Sequence, residues 1–205
     1  MGDLYESFPI FPLPLVLLPT ELAPLHIFED RYKRMINRCL NESEDFGILW
    51  LGGDGLAEIG CTARITELID RMEDGRMNIL VRGGQPFRLL RRVDELAYPA
   101  GDVEFLDDDE GAPNAQSEAA RASYAEVVEK ATDQRPDAGD LADMDAYGMA
   151  ATIELEPALK QRLLDSRSEE ERLGIVEKLF EKAVERLERA EHMAEVARSN
   201  GKVRF

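Results

Sequence analysis

The chain has 205 residues, 44% of them hydrophobic, and a formal net charge of −17. That is enough for one large or two small globular domains with a real core. The acidity argues against general binding to nucleic acid or to an anionic membrane surface, since both call for a basic face. No apolar run is long enough to cross a bilayer. The start, Met1 to Glu6, is acidic, and prolines interrupt the apolar run after it, so it does not read as a signal peptide. A cytoplasmic protein is expected.

Residues 8–18 are apolar with Pro9, Pro12 and Pro14 interleaved, which predicts an edge strand at best. Pro19 and Pro24 bracket a loop, and Leu25-His26-Ile27-Phe28 reads as a short buried strand. A helix follows near 29–41. Phe28, Tyr32, Met35, Ile36, Cys39 and Leu40 recur at helical spacing, Glu29 and Asp30 oppose the positive end of its dipole, and Asn41 can stop it. Phe46 to Leu51 is a strand, with Gly52-Gly53-Asp54-Gly55 as its turn. In Glu58 to Ile65, β-branched residues around Gly60 predict a strand bent at a barrel corner. Glu73-Asp74-Gly75 is a hairpin turn. Met77 to Val81 returns, Gly83-Gly84 breaks it, Phe87 to Val93 resumes, and Gly101 to Leu106 is the last strand. Cys39 and Cys61 read as core thiols.

Residues 107–116, opening Asp107-Asp108-Asp109-Glu110, form an acidic linker. They lack the ligand spacing of a calcium loop, so a solvated connection is expected. The charge is uneven: before Pro99, 16 acids against 11 bases give −5, and from there on 26 against 14 give −12. From 117 the period turns helical. Ser117 to Lys130, Leu141 to Leu155 and a segment opened by Pro157 read as helices. Ser168 and Glu171 form a capping box before the longest helix, which runs to about Arg198. Its seam, Leu173, Val176, Phe180, Ala183, Leu187, Ala190, Ala194 and Ala197, is heptad-like. That seam packs on its own domain or, at its alanine-rich far end, allows a homodimer contact.

The run P-L-H-I-F-E-D-R-Y at 24–32, with F-P-L-P-L-V-L-L-P before it, resembles the signature of the N-terminal substrate-binding domain of the ATP-dependent protease Lon. The runs E-I-G-C-T-A-R-I at 58–65 and G-G-Q-P-F-R-L-L at 83–90 resemble that domain too, in the expected order. Two residues depart from the pattern: Asp30 where the family usually has proline, and Pro86 where it tends to have arginine. The resemblance implies an α+β fold, a PUA-like β pseudo-barrel followed by an α-helical bundle with a long C-terminal helix. It divides the chain into a β domain over 1–106, the linker over 107–116, and a helical domain over 117–205. It makes Pro19, Pro24, His26, Phe28, Glu29, Arg31, Tyr32 and Gly60 signature positions with structural roles.

The chemistry of the whole protease is missing. The Gly-Lys pair at Gly201-Lys202 is followed by Val203, so no phosphate-binding loop is formed, and no G-x-S-x-G elbow or Ser–Lys peptidase pattern appears. His26 reads as a hydrogen-bonded core histidine and His192 as solvated; they are the only histidines. No enzyme activity, metal or cofactor is expected. What remains is surface. Arg31, Arg34 and Arg38 recur along the first helix, and Arg82, Arg88, Arg91 and Arg92 crowd the later strands. They pair with the protein's own acidic helices, or they form a contact patch with Trp50 and Phe87 supplying apolar area. On the second reading Arg31, Arg34, Arg38, Trp50, Phe87, Arg88 and Arg91 are the candidate protein contacts. The expected function is a non-catalytic protein-binding module. It would recognise unfolded or partner polypeptides, or a protease component, as an adaptor or regulator of proteolysis. The segment would add along a sheet edge or lie in the cleft between the two halves. The alternative is a small-molecule sensor using that cleft. RNA binding, which folds of this type support elsewhere, is opposed by the acidity.

Overall fold

A computed structural model describes residues 4–93, 95–109 and 115–200, without the side chains of 115–117, 191, 194, 195 and 197–200. The chain divides into two compact units. One is Met1–Glu110 with Ala150–Ser168, and the other is Gly111–Met149 with Glu169–Phe205. The first holds strands β1 (Leu4–Leu13), β2 (Leu22–Ile27), β3 (Phe46–Gly52), β4 (Gly55–Leu56), β5 (Ile59–Arg71), β6 (Met77–Val93) and β7 (Ala100–Phe105), and helix α1 (Asp30–Glu42). The fold class is α+β.

The strands run β1-β7-β6-β5-β3, and β1 returns to pair with β3, so five strands close into a ring. Phe8, Ile10, Leu49, Phe87 and Val103 fill the core inside it. Closure leaves no long open edge, which is how small antiparallel sheets avoid unpaired backbone. β1 is the closing strand, not the plain edge strand that its prolines suggest. It pairs antiparallel with β7 through Leu4–Pro9 and parallel with β3 through Ile10–Leu13. Each half therefore has one free side. Proline tolerates that, because its missing N–H costs no ladder bond there.

Three further boundaries differ from expectation. β2 starts at Leu22 and runs through Pro24, so the loop after Pro19 is shorter than the two prolines imply. α1 ends at Glu42, and Ser43, not Asn41, takes the left-handed cap at φ 55. β6 passes unbroken through Gly83-Gly84. A Cβ at Gly83 would stand 1.9 Å from the Leu18 carbonyl oxygen, so the glycine allows a close backbone approach instead of ending the strand. Gly60 does the same work on β5: its missing Cβ would lie 2.3 Å from Ile48 O. β5 is bulged after Cys61, Ile65 and Leu68, the bend that the sequence predicts.

Helix α5 (Pro157–Asp165) clusters with the strands, although the sequence division puts it with the helices. Leu163 and Leu164 are buried, the Gln161 amide donates to Ile59 O at 3.0 Å, and Lys160 is paired with Glu21. Those contacts outweigh its helical character in deciding where it sits.

The second unit is built on α2 (Ala115–Thr132) and α6 (Glu169–Asn200). Ala120, Tyr124, Ala125, Val127, Leu173, Val176 and Phe180 are buried, with Tyr124 edge-on to Phe180 at 5.3 Å. The single helix expected over Leu141 to Leu155 is instead two short ones, α3 (Ala138–Ala142) and α4 (Ala146–Ala150). Asp145 explains the interruption, since its carboxylate takes the Gly148 N–H at 2.6 Å and starts a new helix. Ser168 stands one residue before α6, where its cap is expected. The seam of α6 is buried through Phe180, half-buried at Ala183 and Leu187, and exposed at Ala190. The Ala194 and Ala197 side chains lie outside the described residues, as do the Glu110–Asn114 part of the linker and the Gly201-Lys202 pair.

Candidate functional site

Strand alternation creates the site. Along β2, Leu25 and Ile27 point into the core, so His26 and Phe28 point out. Phe28 is 59% exposed, a large aromatic left in solvent. His26 sits beside it, with the two rings 5.8 Å apart and nearly parallel. His26 Nδ1–H donates to Asn78 Oδ1 at 2.7 Å across the β2–β6 ladder. His26 is thus hydrogen-bonded as expected, but it is exposed rather than in the core. Its apolar neighbours in sequence occupy the other face of the strand.

Phe28 and His26 border a groove of about 520 Å³ lined by Phe11, Pro12, Leu13, Pro14, Tyr32, Leu51 and Leu56, with Glu29, Arg31 and Arg92 as its charged members. Helix α1 fixes one wall. Glu29 has extended backbone at its N-cap position and makes no cap bond; its carboxylate instead holds Arg31 at 2.8 Å. The Arg31 guanidinium then lies 4.5 Å over the Tyr32 ring, and Tyr32 packs on Phe11 at 4.1 Å. Burial pushes the Tyr32 phenol above its usual range, so it stays a neutral hydroxyl at physiological pH. Leu51 is half exposed at the end of β3.

The two arginine clusters are mostly spoken for. Arg38 is tied to Glu42, Glu44 and the Tyr98 hydroxyl, and the Glu42 and Tyr98 hydrogen bonds raise its already high pKa. Arg88 faces Glu104 at 3.7 Å, and Arg91 meets Asp102 at 2.7 Å. The Ser7 N–H and Arg91 hold the Asp102 carboxyl below the usual range. Arg82 reaches the Thr20 carbonyl at 3.4 Å. The partners lie on α1, the strands and the loops beside them, not on the acidic helices of the second half. Among the described residues Arg34 has no ion pair, and Arg31 and Arg92 line the groove.

Phe87, expected at the surface, is fully buried in the barrel core against Phe8. Its place on β6, after half-buried Pro86 and before half-buried Arg88, gives the physical reason: neighbours on a strand face opposite ways. Trp50 is half-buried and lines a second pocket, away from the groove residues except Leu56. Pro19, Pro24 and Gly60 shape the backbone, with no role in the groove lining. Phe11, Leu13, Leu51 and Leu56 are not marked by the sequence; β3 is a continuous apolar run buried from Phe46 to Leu49, so no alternation sets Leu51 apart.

The buried thiols offer little reactivity. Burial pushes Cys39 up to about 12 and raises Cys61 further still. Among the described residues no group of three or more His, Cys, Asp or Glu could hold a metal ion, and no helix is long and apolar enough to cross a membrane.

Residues 7–182 match the family described as the ATP-dependent protease La (LON) substrate-binding domain. Two solved structures share the fold. A Lon N-terminal domain protein from Xanthomonas campestris is 23% identical with a TM-score of 0.64, covering 83% of this chain and 96% of its own. The N-terminal domain of Mycobacterium avium complex Lon protease is 21% identical with a TM-score of 0.63, covering 86% of this chain and 98% of its own.

Proposed function

The chain belongs to the Lon substrate-binding domain family, and from that footing we propose that it grips an extended polypeptide segment in the groove beside Phe28, as an adaptor or regulator of proteolysis. The observation that carries this is Phe28 itself: an aromatic 59% exposed at the border of an apolar groove. Large aromatics dominate the energetics of protein recognition, and solvent-exposed ones carry a standing desolvation incentive to be covered. A groove of this size takes a few side chains of an unfolded segment, not the surface of a folded domain. Arg31 is compensated by Glu29, which leaves Arg92 as the groove's surplus positive charge and favours segments with acidic flanks. Strand addition on the outer side of β2 is disfavoured, because Pro24 supplies no N–H to a new neighbour.

The test is fluorescence anisotropy of the full chain against a labelled, permanently unfolded polypeptide and a folded control. The reading expects selective binding to the unfolded chain. Phe28→Ala should weaken that binding by about tenfold, the scale of one aromatic anchor, without changing the melting point. Equal binding of the folded control, or full binding by the variant, would discard the groove.

A further inference from the structure

The groove beside Phe28 is not apolar throughout. Tyr32 lines it with only 5% of its surface exposed. Phe11 packs on the ring at 4.1 Å, and the Arg31 guanidinium lies 4.5 Å over it. The Tyr32 hydroxyl makes no hydrogen bond among the described residues. Nor is it sealed off. Gln161 Oε1 is the one side-chain nitrogen or oxygen among the described residues that is fully buried without a partner, so Tyr32 Oη keeps accessible surface. Polar groups this deep rarely go unpaired, because the hydration they lose is recovered only from a new partner. Held as a neutral phenol, Tyr32 presents a donor with no acceptor.

Arg92 is the second observation. It lines the same groove from β6, is exposed, and its guanidinium has no ion pair or hydrogen bond among the described residues. The other two charged members offset each other, since Glu29 holds Arg31 at 2.8 Å. The lining thus carries a surplus positive charge within a chain of net charge −17. The guanidinium and the phenol are both donors, and neither finds an acceptor among the described residues.

We propose that the groove takes an acidic side chain of the bound polypeptide, an aspartate or glutamate beside the residue that covers Phe28, and that Tyr32 and Arg92 donate to its carboxylate. The carboxylate supplies what both lack. It has acceptor capacity for a phenol and a guanidinium together, and bonds to an ionised acceptor are the stronger kind. The apolar lining, with Leu13, Leu51 and Leu56, lowers the local dielectric and strengthens them further. The preferred segment is therefore apolar with one acid set among its side chains, rather than any hydrophobic stretch. This rests on the reading that the groove binds polypeptide, and adds the residue type that is recognised there.

The full chain is titrated, by fluorescence anisotropy, with a rhodamine-labelled Gly-Ser peptide that carries Leu-Phe-Glu-Leu and ends in an amide. Two counterparts have Gln in place of Glu, one amidated and one with a free C-terminal carboxylate. Affinity should be about tenfold weaker for both Gln peptides. Tyr32→Phe, which keeps the ring, and Arg92→Gln should each lose about tenfold for the Glu peptide and less than about threefold for the Gln peptides, because the loss belongs to the carboxylate. Arg34→Gln removes an arginine without an ion pair among the described residues and outside the groove lining. It controls for net charge and should bind like the parent chain. Equal affinity for Glu and Gln peptides, equal losses for both in either groove variant, or a like loss from Arg34→Gln overturns the acidic site. Recovery of affinity by the free carboxylate overturns it in favour of a chain terminus. If Glu and Gln peptides bind alike and Phe28→Ala weakens both, the groove stands without this site. Absence of peptide binding beside binding of the unfolded polypeptide leads to the same conclusion, and absence of both removes the groove as well.

Discussion

At Gly60 one missing atom decides whether β5 can lie against β3. An added Cβ would stand 2.3 Å from the Ile48 carbonyl oxygen and 2.8 Å from Leu49, and backbone cannot give way there as a flexible side chain could. Gly60→Ala should therefore cost about 3 kcal/mol or more, whereas Gly53→Ala, with nothing within 4 Å, should stay within about 0.5 kcal/mol. Urea unfolding of the two variants checks both; equal midpoints would refute the close approach. Other residues were legible only in part. The sequence marks His26 and Phe28 as belonging together, but their apolar surroundings suggest burial, and only the phase of β2 puts both outside. Phe87 errs in the opposite sense: Arg88 beside it and the arginines further along suggest surface, and the phase of β6 puts it in the core. Residue type alone does not carry phase, and a one-residue change of phase exchanges the faces. The arginines read best as a set with two readings left open. The structure gives Arg31, Arg38, Arg88 and Arg91 carboxylate partners and places Arg31 and Arg92 in the groove.

Elements were easier to place than residues, because periodicity over ten or more positions is a strong signal. α1, α2, α6 and the hairpin at Gly75 stand where their patterns put them, while proline and glycine were over-read as breakers. β1 pairs with β7 over Leu4–Pro9 and with β3 over Ile10–Leu13, and so accommodates Pro9 and Pro12. β6 runs through two glycines because Leu18 passes beside Gly83 and Thr62 beside Gly84. Both cases depend on contacts distant in sequence. The first turn of α6 is held by contacts within its own unit. Glu169, in its first turn, accepts the Ala146 N–H at 2.7 Å and holds Arg172 at 2.8 Å, and Arg172, 1% exposed, lies 4.3 Å over the Tyr147 ring. Burial pushes the Glu169 carboxyl upward although Arg172 opposes the shift. Arg172→Ala removes the buried cation, leaves Glu169 without it and opens space beneath Tyr147. The expected loss is about 3 kcal/mol, read as a lower denaturant midpoint with an unchanged slope. An unchanged midpoint would show that this cluster contributes nothing to the second unit.

For the molecule as a whole, the strand and helix patterns point to a sheet followed by helices, and the resemblance to the Lon domain implies the pseudo-barrel. An acidic chain with short glycine-punctuated strands first and helical periods later gives an α+β protein, and five strands do close into a barrel. The one displaced piece is α5, which follows the strands because Gln161 and Lys160 bond to Ile59 and Glu21. The site was less legible, since a groove is made by residues from β1, β2, α1 and β3 that no local pattern connects. The central claim is that unfolded polypeptide is held at Phe28, and site-specific cross-linking tests it most directly. A photoreactive p-benzoylphenylalanine is placed at Phe28 in one sample and at Ile69, 52% exposed on β5 and outside the groove, in another. Each is irradiated with a permanently unfolded polypeptide. Our account predicts adducts from position 28 that excess unlabelled polypeptide suppresses, and none above background from position 69. Equal adducts at both positions, or adducts at 69 alone, would contradict it.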